Sequence, residues 1–251
     1  MNNATETKKI LRESSLKAQI EDYWDERSSS FSMVRRNELA GPSAAAWESL
    51  ILEHLPENGR EPLKILDIGT GAGFFAIILA RLGHQVTGID MSAGMIHEAK
   101  QNALAAGCRA KFRKMDAQEL ALPSESFDAV ISRNLTWTLP DAMQAYREWT
   151  RVLKKGGCLL NFDSDYGTMA FSKQGDQKNV HANIEERLIN TCTNIKDQLR
   201  ISTHRRPAWD MAFLQQLGLS VSYEPDISSR VHIDPDMHYD HIALFGLYAQ
   251  K

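Results

Sequence analysis

Three glycines that follow an acidic residue form the segment of this 251-residue chain that is best suited to bind a ligand. Residues 63–73 read LKILDIGTGAG, so that an apolar stretch leads into Gly69, Gly71 and Gly73. Glycine lets the backbone bend and come close to a ligand, and a helix that follows such a turn offers free backbone N–H groups. The pattern predicts a strand, a ligand-binding turn and a helix.

Two carboxylates accompany this turn. Asp67 lies two residues before Gly69, where it can meet a positively charged amino group but would repel a pyrophosphate. Asp90 ends the next apolar stretch, about 20 residues further on, where an acidic side chain can accept both hydroxyls of a ribose. A dinucleotide-binding turn would need a third glycine where this chain has Phe74. The spacing therefore favours a nucleoside that carries an amino group over a dinucleotide.

The elements that must position these residues alternate along the chain. Apolar stretches predict strands at residues 63–68, 85–90, 110–114, 127–132 and 158–162, and helices between them at residues 74–82, 92–106 and 141–153. Such alternation is typical of βαβ units in a mostly parallel sheet. Further helices are predicted at residues 43–55, 180–199 and 207–217. Strands at residues 219–223 and 242–249 follow each other without a helix and predict a hairpin at one edge of the sheet.

The segment from Asp67 to Gly73 resembles the D-x-G-x-G-x-G motif of class I S-adenosylmethionine-dependent methyltransferases. Downstream, KMDAQELALPSESFDAVISRN and EWTRVLKKGGCLLNFD resemble the small-molecule branch of that family, of the type 11 or type 25 kind, with Lys155 in place of a usual proline. The resemblance covers roughly residues 60–163. It implies an α/β fold, namely a Rossmann-like doubly wound seven-stranded sheet with the last strand antiparallel, plus a helical cap.

The resemblance also implies S-adenosylmethionine as cofactor, with S-adenosylhomocysteine as product, bound beyond the C-terminal ends of the strands. Its parts would be held by separate groups of residues. These are Asp67, Gly69, Thr70, Gly71 and Gly73 at the methionine end, Asp90 at the ribose, Met91, Asp116 and Ala117 at the adenine, and Arg133 with Asn134 at the transferable methyl group.

An aromatic helix before the first strand resembles the lid of many small-molecule members of the family. Tyr23 is expected to contact the cofactor and take part in catalysis, and Trp24 to contact the substrate. Arg27 could pair with the cofactor carboxylate, and aromatic faces favour a sulfonium by cation–π attraction. The alternative is that Tyr23, Trp24 and Phe31 form an ordinary core stripe.

Polar and aromatic residues after the fourth and fifth strands are candidates for the acceptor side. Asn134 and Asp163 are expected to serve catalysis, with Asp163 as a general base or ammonium-binding group, unless it only starts a turn. Trp137 and Tyr166 are expected to contact the substrate. Guanidinium groups suit a carboxylate or phosphate, so Arg205 and Arg206 are further substrate candidates, unless they lie on a solvated loop.

Five potential metal ligands lie in ten residues near the C-terminus, namely His232, Asp234, Asp236, His238 and His241. Three interpretations stay open: a metal site, a loop that contacts the substrate, and a solvated loop. Because Pro235 argues for a loop, which breaks the alternation of a strand, no metal is assigned.

Composition excludes several classes of protein. The formal net charge of −3, with no N/D-P-P-Y/F/W signature after the fourth strand, argues against a nucleic-acid substrate. Without an apolar run of about 18 residues, no membrane-spanning helix is expected. The three cysteines include no CxxC pair, which argues against a cysteine zinc site and for a reducing, cytoplasmic location.

The sequence therefore predicts a cytoplasmic methyltransferase, monomer or homodimer, that methylates N or O of a small molecule. Residues 1–60 would form a lid, 61–163 the cofactor-binding core, 164–206 a substrate cap, and 207–251 a helix and edge hairpin that complete the core. The alternatives are another enzyme that uses S-adenosylmethionine, an NAD-dependent oxidoreductase, and a non-catalytic regulator that binds the cofactor.

Overall fold

Short apolar segments of this chain form strands that are buried on both faces, as expected in a parallel sheet covered by helices. The computed structural model describes residues 2–56, 62–173 and 175–251, with only the backbone for residues 2–12. Within these ranges the strands are β1 (Lys64–Ile68), β2 (Gln85–Asp90), β3 (Lys111–Lys114), β4 (Phe127–Arg133), β5 (Leu153–Ser164), β6 (Ser220–Glu224) and β7 (Leu244–Gln250).

These strands pair in the order β3-β2-β1-β4-β5-β7-β6 to form, within the described residues, a sheet of seven. β1 to β5 run parallel to one another, whereas β7 runs antiparallel to both β5 and β6. The predicted α/β, Rossmann-like doubly wound sheet with its last strand antiparallel is therefore confirmed.

Helices cover both faces of the sheet. They are α1 (Asn2–Ala40), α2 (Ser43–Leu52), α3 (Phe74–Arg81), α4 (Ala93–Ala105), α5 (Ala142–Val152), α6 (Glu186–Gln198), α7 (Ala208–Gln216) and α8 (Ser228–Val231). Neighbouring strand residues point to opposite faces. Leu66 joins a core with α1, α5, α6 and α7, whereas Ile65 joins a second core with α2 and α3.

Two predictions about elements are wrong in the C-terminal half. The helix predicted at residues 180–199 begins only at Glu186, because the Asn179 side chain accepts the backbone N–H of His181 and holds a turn there. The last two strands do pair, but they are not directly joined, since α8 and a loop lie between them. Both departures place irregular backbone near the carboxyl ends of the strands.

A buried carboxylate fastens the long helix α1 to the sheet. Glu38 is fully buried, and both of its oxygens accept from the Arg133 guanidinium, at 2.9 and 3.0 Å. The Arg35 guanidinium lies 2.6 Å from the same carboxylate, and the Trp47 indole donates to it at 3.2 Å. Burial by itself would raise the pKa of Glu38, but the charges of Arg133 and Arg35 lower it to about 2.

A second buried ion group ties the end of β5 to α7. The Arg206 guanidinium donates to Asp210 at 2.8 and 2.9 Å and to Asp163 at 2.9 Å, and all three side chains are buried. Tyr146 donates its hydroxyl to Asp210 at 2.6 Å. Each charge therefore has a partner that offsets its loss of hydration.

We expect Glu38→Gln to lower the free energy of unfolding by about 3–5 kcal/mol, because two buried guanidinium groups lose their counter-charge. Urea unfolding measures the effect. Glu48→Gln on α2, where the glutamate is only half-buried, is the control and should change stability by less than about 0.5 kcal/mol. Equal stability of the two variants would contradict the role of Glu38.

The loss of stability at acid pH gives an independent test of the role of Glu38. The pKa of Glu38 is about 2 in the fold against 4.5 for an ordinary glutamate, so its stabilisation is present above pH 4.5 and is lost as the pH falls toward 2. The Gln variant should lack this part of the acid-induced loss. A variant that loses stability with the same slope as the wild type would contradict the assignment.

Substitution of Arg206, compared with substitution of the adjacent Arg205, tests whether the second buried ion group stabilises the fold. Arg206→Met strands the buried Asp163 and Asp210 and should cost about 3–5 kcal/mol of unfolding free energy. Arg205 is exposed, so Arg205→Met should change it by less than about 0.5 kcal/mol. Chemical denaturation compares the two, and an equal effect would show that the buried network is not needed for stability.

Candidate active site

A cavity opens beyond the carboxyl ends of the parallel strands, where ligands bind in open α/β sheets. Its empty volume, open mouth included, is about 1420 Å³. The site residues predicted from the sequence that line it are Tyr23, Trp24, Arg27, Gly69, Gly71, Asp90, Met91, Asp116, Ala117, Arg133, Asn134, Trp137 and Tyr166.

The glycine turn forms the floor of the cavity beside β1. Gly69 and Gly71 have φ angles of 66° and 51°, in the left-handed region that glycine adopts without strain. A Cβ atom on Gly69 would lie only 2.8 Å from a methyl carbon of Leu135. Glycine is therefore required at this position both by the backbone conformation and by the close packing.

Asp90, at the end of β2, presents a fixed carboxylate to the cavity. One oxygen accepts the backbone N–H of Gly71 at 3.0 Å, and the other accepts that of Ser92 at 2.9 Å. Each carboxylate oxygen has a further lone pair for a ligand hydroxyl. Burial raises the pKa of Asp90 to about 6, although the two backbone donors favour the ionised form.

Three members of the predicted glycine motif lie behind the cavity wall. Asp67 is buried, and one of its oxygens accepts from the Thr70 hydroxyl at 2.6 Å and from the Ala76 backbone at 3.1 Å. Burial raises the pKa of Asp67 to about 7, and Asp90 adds to that rise. Gly73 is the N-cap residue of α3. Asp67, Thr70 and Gly73 are thus not among the residues that line the cavity, and the contacts of Asp67 brace the turn from inside the protein.

Asp116 lines the cavity from the loop after β3. One carboxylate oxygen is 2.6 Å from the Lys17 ammonium, and the other accepts the Gln118 backbone N–H at 2.8 Å. The ion pair between Lys17 and Asp116 therefore joins α1 to the loop after β3. Sequence reasoning did not include Lys17, because nothing local connects it to a residue 99 positions away.

One face of α1 roofs the cavity. Lys17, Ile20, Tyr23 with Trp24, Arg27 and Phe31 recur at helical spacing and all line it. Tyr23 is also 93% buried among core residues, so its predicted roles in a lid and in a core stripe are compatible. The Tyr23 and Trp24 rings meet edge to face, 5.1 Å apart.

Arg27 is a buried cation that faces the cavity without a carboxylate partner among the residues the structure describes. Its side chain donates to the Ser30 hydroxyl at 3.2 Å, and its Nε atom has no partner. The residue is only 5% exposed. A buried guanidinium of this kind is suited to an anionic group of a ligand.

Three residues predicted for the acceptor side are not among those that line the cavity. Asp163 does not line the cavity, since its carboxylate accepts from Thr136, Trp137 and Arg206 in the interior. Arg206 is paired with Asp163 in the same buried network. Arg205 is exposed and does not line the cavity. These residues were predicted from their position after β5 and the cap, but that position does not tell which way a side chain points.

Aromatic rings form one wall of the acceptor side. Trp137 lies 4.7 Å from Tyr166 and 5.7 Å from Phe171, measured between ring centroids. The Trp137 indole donates to the Asn134 carbonyl at 3.0 Å, which fixes its orientation. Phe171 lies in the segment predicted as a cap, but no pattern in that segment distinguished it.

The cluster of possible metal ligands near the C-terminus is separated in the fold. His232 stacks on Tyr239, and His238 pairs with Asp176. Across the described residues, no group of three or more His, Cys, Asp or Glu side chains could hold a metal ion. Asp240, which lies in the same loop between His238 and His241, does line the cavity, as does His181 from the preceding cap, and sequence reasoning selected neither.

Among the described parts of the chain, none of the helices has the length and apolar character needed to cross a membrane.

Comparisons with known proteins place the sequence motif in a family. The family model of a methyltransferase domain matches residues 66–161. The ubiquinone biosynthesis O-methyltransferase of Colwellia psychrerythraea is 34% identical over 105 residues, which cover 41% of this chain and 43% of that protein. This chain therefore matches less than half the length of that relative.

Solved structures share the fold over most of the chain. An S-adenosylmethionine-dependent methyltransferase from Aquifex aeolicus aligns with a TM-score of 0.57 at 17% identity, covering 87% of this chain and 97% of that one. A [4+2]-cyclase, SpnF, aligns with a TM-score of 0.56 at 23% identity, covering 82% and 80%. At these identities the likeness shows the fold alone. The glycine motif, the strand order and the domain match agree: residues 66–161 are similar to a methyltransferase domain, and the chain has the fold of S-adenosylmethionine-dependent methyltransferases.

Proposed function

We propose that this protein binds S-adenosylmethionine in the described cavity and transfers its methyl group to N or O of a small molecule, with release of S-adenosylhomocysteine. The observation that carries the proposal is the Asp90 carboxylate. It lines the cavity beside a glycine turn, is held by two backbone N–H groups, and keeps lone pairs for the two ribose hydroxyls.

The remaining groups fit the other parts of the same ligand. The open backbone at Gly69 and Gly71 would receive the methionine end, whose carboxylate would pair with Arg27. Met91 and Ala117 would enclose the adenine, with Asp116 near its amino group. Arg133 would lie beside the methionine end, with its charge already balanced by Glu38.

S-adenosylmethionine supplies an electrophilic methyl group, so the protein need not build one. Its residues must orient the acceptor and exclude water. The α1 face with Tyr23 and Trp24 would close over the reacting groups, while Asn134, Trp137 and Tyr166 would hold the acceptor. Aromatic rings around the site favour the positive charge of a sulfonium.

Several features support a small acceptor over a nucleic acid. The cavity is roofed by α1, and the formal net charge of the chain is −3. The matched relative is named as an O-methyltransferase of ubiquinone biosynthesis. All three cysteines are free thiols, which supports the proposed reducing, cytoplasmic location. We further propose a monomer or homodimer.

The proposed organisation divides the chain by task. Residues 1–60 are the lid and 61–163 the cofactor-binding core. Residues 164–206 are the substrate cap, and 207–251 complete the sheet. Phe171 and His181 in the cap line the cavity together with the core residues, which supports this division.

A second candidate function is a reaction other than methyl transfer on the same fold, because the structural neighbour SpnF is named as a [4+2]-cyclase.

Two measurements distinguish these functions. The first is calorimetry with S-adenosylmethionine and with NAD, and the second is detection of S-adenosylhomocysteine with a panel of phenols, amines and carboxylates. We expect binding of S-adenosylmethionine and formation of S-adenosylhomocysteine. Binding of NAD alone would overturn the proposal, and cofactor binding without product from any acceptor would favour a regulator or another chemistry.

Asp90→Asn should weaken S-adenosylhomocysteine binding by about 1–3 kcal/mol, because a charged acceptor of two ribose hydroxyls is replaced by an amide. Asp22→Asn on the exposed side of α1 is the control and should leave the affinity unchanged. Isothermal titration calorimetry measures both. Equal affinities would remove Asp90 from the binding site.

The same pair tests the pH dependence of binding. Since the pKa of Asp90 is raised to about 6, the ionised form needed by the ribose is lost as the pH falls below that value. We expect the wild-type affinity for S-adenosylhomocysteine to fall between pH 7 and pH 5, and the Asn variant to lack this fall. A wild-type affinity that is constant across this range would contradict the assignment.

A further inference from the structure

Two loops that are distant in sequence are joined beside the cavity. The Val180 N–H donates to the His238 carbonyl at 2.9 Å, and the His238 N–H donates to the Lys178 carbonyl at 2.9 Å. This short parallel bridge joins the cap to the loop before β7. Asp240, two residues beyond the bridge, therefore lies beside the cap and lines the cavity.

Neutral groups of the cap hold the Asp240 carboxylate. The Asn179 amide donates to one of its oxygens at 3.3 Å, and the His181 Nε2 atom lies 3.8 Å from the other. The Asn179 carbonyl also accepts the His181 backbone N–H at 2.7 Å, which fixes the two residues together. Only 12% of the Asp240 side chain is accessible. Among the residues that the structure describes, no lysine or arginine forms an ion pair with it.

The imidazole of His181 does not supply the missing positive charge. Burial lowers the pKa of His181 to about 4, Asp240 opposes the shift, and Arg27 and Arg35 from α1 add to it. The imidazole is therefore neutral at pH 7. A buried carboxylate without a counter-charge is unfavourable, so a cation bound in the cavity would be stabilised beside Asp240.

The other charged groups of the lining already have partners, in the protein or in the proposed cofactor. The pairs within the protein are Lys17 with Asp116 at 2.6 Å and Arg133 with Glu38 at 2.9 Å. In the proposed complex Asp90 would accept the ribose hydroxyls and Arg27 would meet the carboxylate of the methionine end. Asp240 is the charge that remains for the acceptor.

Aromatic rings lie in the same region as Asp240. The ring centroids of Trp137 and Tyr166 are 4.7 Å apart, those of Tyr166 and Phe171 are 6.0 Å apart, and all three rings line the cavity. Burial raises the pKa of Tyr166, and the charges of Asp163 and Asp240 add to that rise. Faces of aromatic rings attract cations, most strongly where water is excluded.

One of these rings already lies near a cation. The Lys196 ammonium is 5.8 Å from the centroid of the Phe171 ring. It donates to the Met169 carbonyl at 2.7 Å, and the Asp197 carboxylate, 3.2 Å away, balances its charge. The rings of Trp137 and Tyr166 remain for a ligand.

We infer that Asp240, together with the rings of Trp137 and Tyr166, is a binding site for an organic ammonium group, and that the acceptor is a small molecule with a positively charged nitrogen. This inference rests on the proposed methyl transfer and names its acceptor class. A carboxylate beside aromatic faces offers such a group both a counter-charge and cation–π attraction.

The ammonium site anchors the acceptor and does not itself react. A nitrogen that is protonated or quaternary has no lone pair with which to take a methyl group. A different nitrogen or oxygen of the same molecule must therefore receive it. The charged nitrogen would lie against Asp240, so that the rest of the acceptor extends along the cavity toward the reacting methyl group.

The test uses the full chain saturated with S-adenosylhomocysteine, which has no methyl group to transfer, so that binding alone is measured. The probes are choline and dimethylbutanol, the neutral alcohol of the same shape in which a carbon atom replaces the quaternary nitrogen. We expect calorimetry to show that the wild type binds choline at least about tenfold more tightly than the alcohol. Equal affinities, or no binding of choline, would overturn the inference.

Asp240→Asn keeps the shape of the side chain and removes its charge. It should weaken choline binding by about tenfold or more and leave the affinity for the alcohol unchanged. Asp236 is the matched control, because it lies in the same loop but is exposed and paired with Lys178 at 2.7 Å. Asp236→Asn should leave both affinities unchanged. An equal loss of both probes in Asp240→Asn would show a structural role and overturn the assignment.

The comparison of probes in the wild type needs no variant, and it keeps this inference distinct from the proposed function. Binding of S-adenosylhomocysteine without preference for choline would overturn the ammonium site and leave the cofactor site intact. Failure of the wild type to bind S-adenosylhomocysteine and S-adenosylmethionine would instead overturn the proposed function, and this inference with it.

Discussion

The burial of Glu38 between two arginines is the interaction on which the site depends. Two guanidinium groups and one carboxylate lie out of water together, and none of them is stable there without the others. Because Arg133 ends β4 and Glu38 lies in the last turn of α1, their pairing fixes the long helix against the carboxyl edge of the sheet. The face of α1 that includes Tyr23, Trp24 and Arg27 then becomes the roof of the cavity.

The cavity lining carries both signs of charge. It includes the carboxylates of Asp90 and Asp116, the guanidinium groups of Arg27 and Arg133, and several aromatic rings. A nucleoside with a zwitterionic tail and a central sulfonium has the matching groups. The carboxylates suit its hydroxyl and amino donors, a guanidinium suits its carboxylate, and the rings suit the sulfonium. This lining supports the proposed cofactor independently of the sequence motif.

The same fold occurs in proteins named as methyltransferases and in one named as a cyclase, so the sheet does not decide the reaction. In this chain the difference would come from the segments outside the matched domain. Phe171 and His181 come from the cap, Asp240 from the loop before β7, and Tyr23 from α1. Backbone hydrogen bonds between residues 178–180 and His238 join the cap to the loop before β7.

The sequence alone determined the fold class, the glycine turn and the position of Asp90, because these depend on local patterns. Apolar stretches of fixed length make strands, positive φ angles need glycine, and the end of β2 must face the turn after β1. The tertiary structure decided which polar side chains face the cavity. Asp163 and Arg206 were expected there, but they neutralise each other in the interior, whereas His181 and Asp240 are brought to the wall by a bridge across 59 positions. A buried charged side chain pairs with an opposite charge that the fold places beside it, and the spacing of residues in the sequence does not identify that partner.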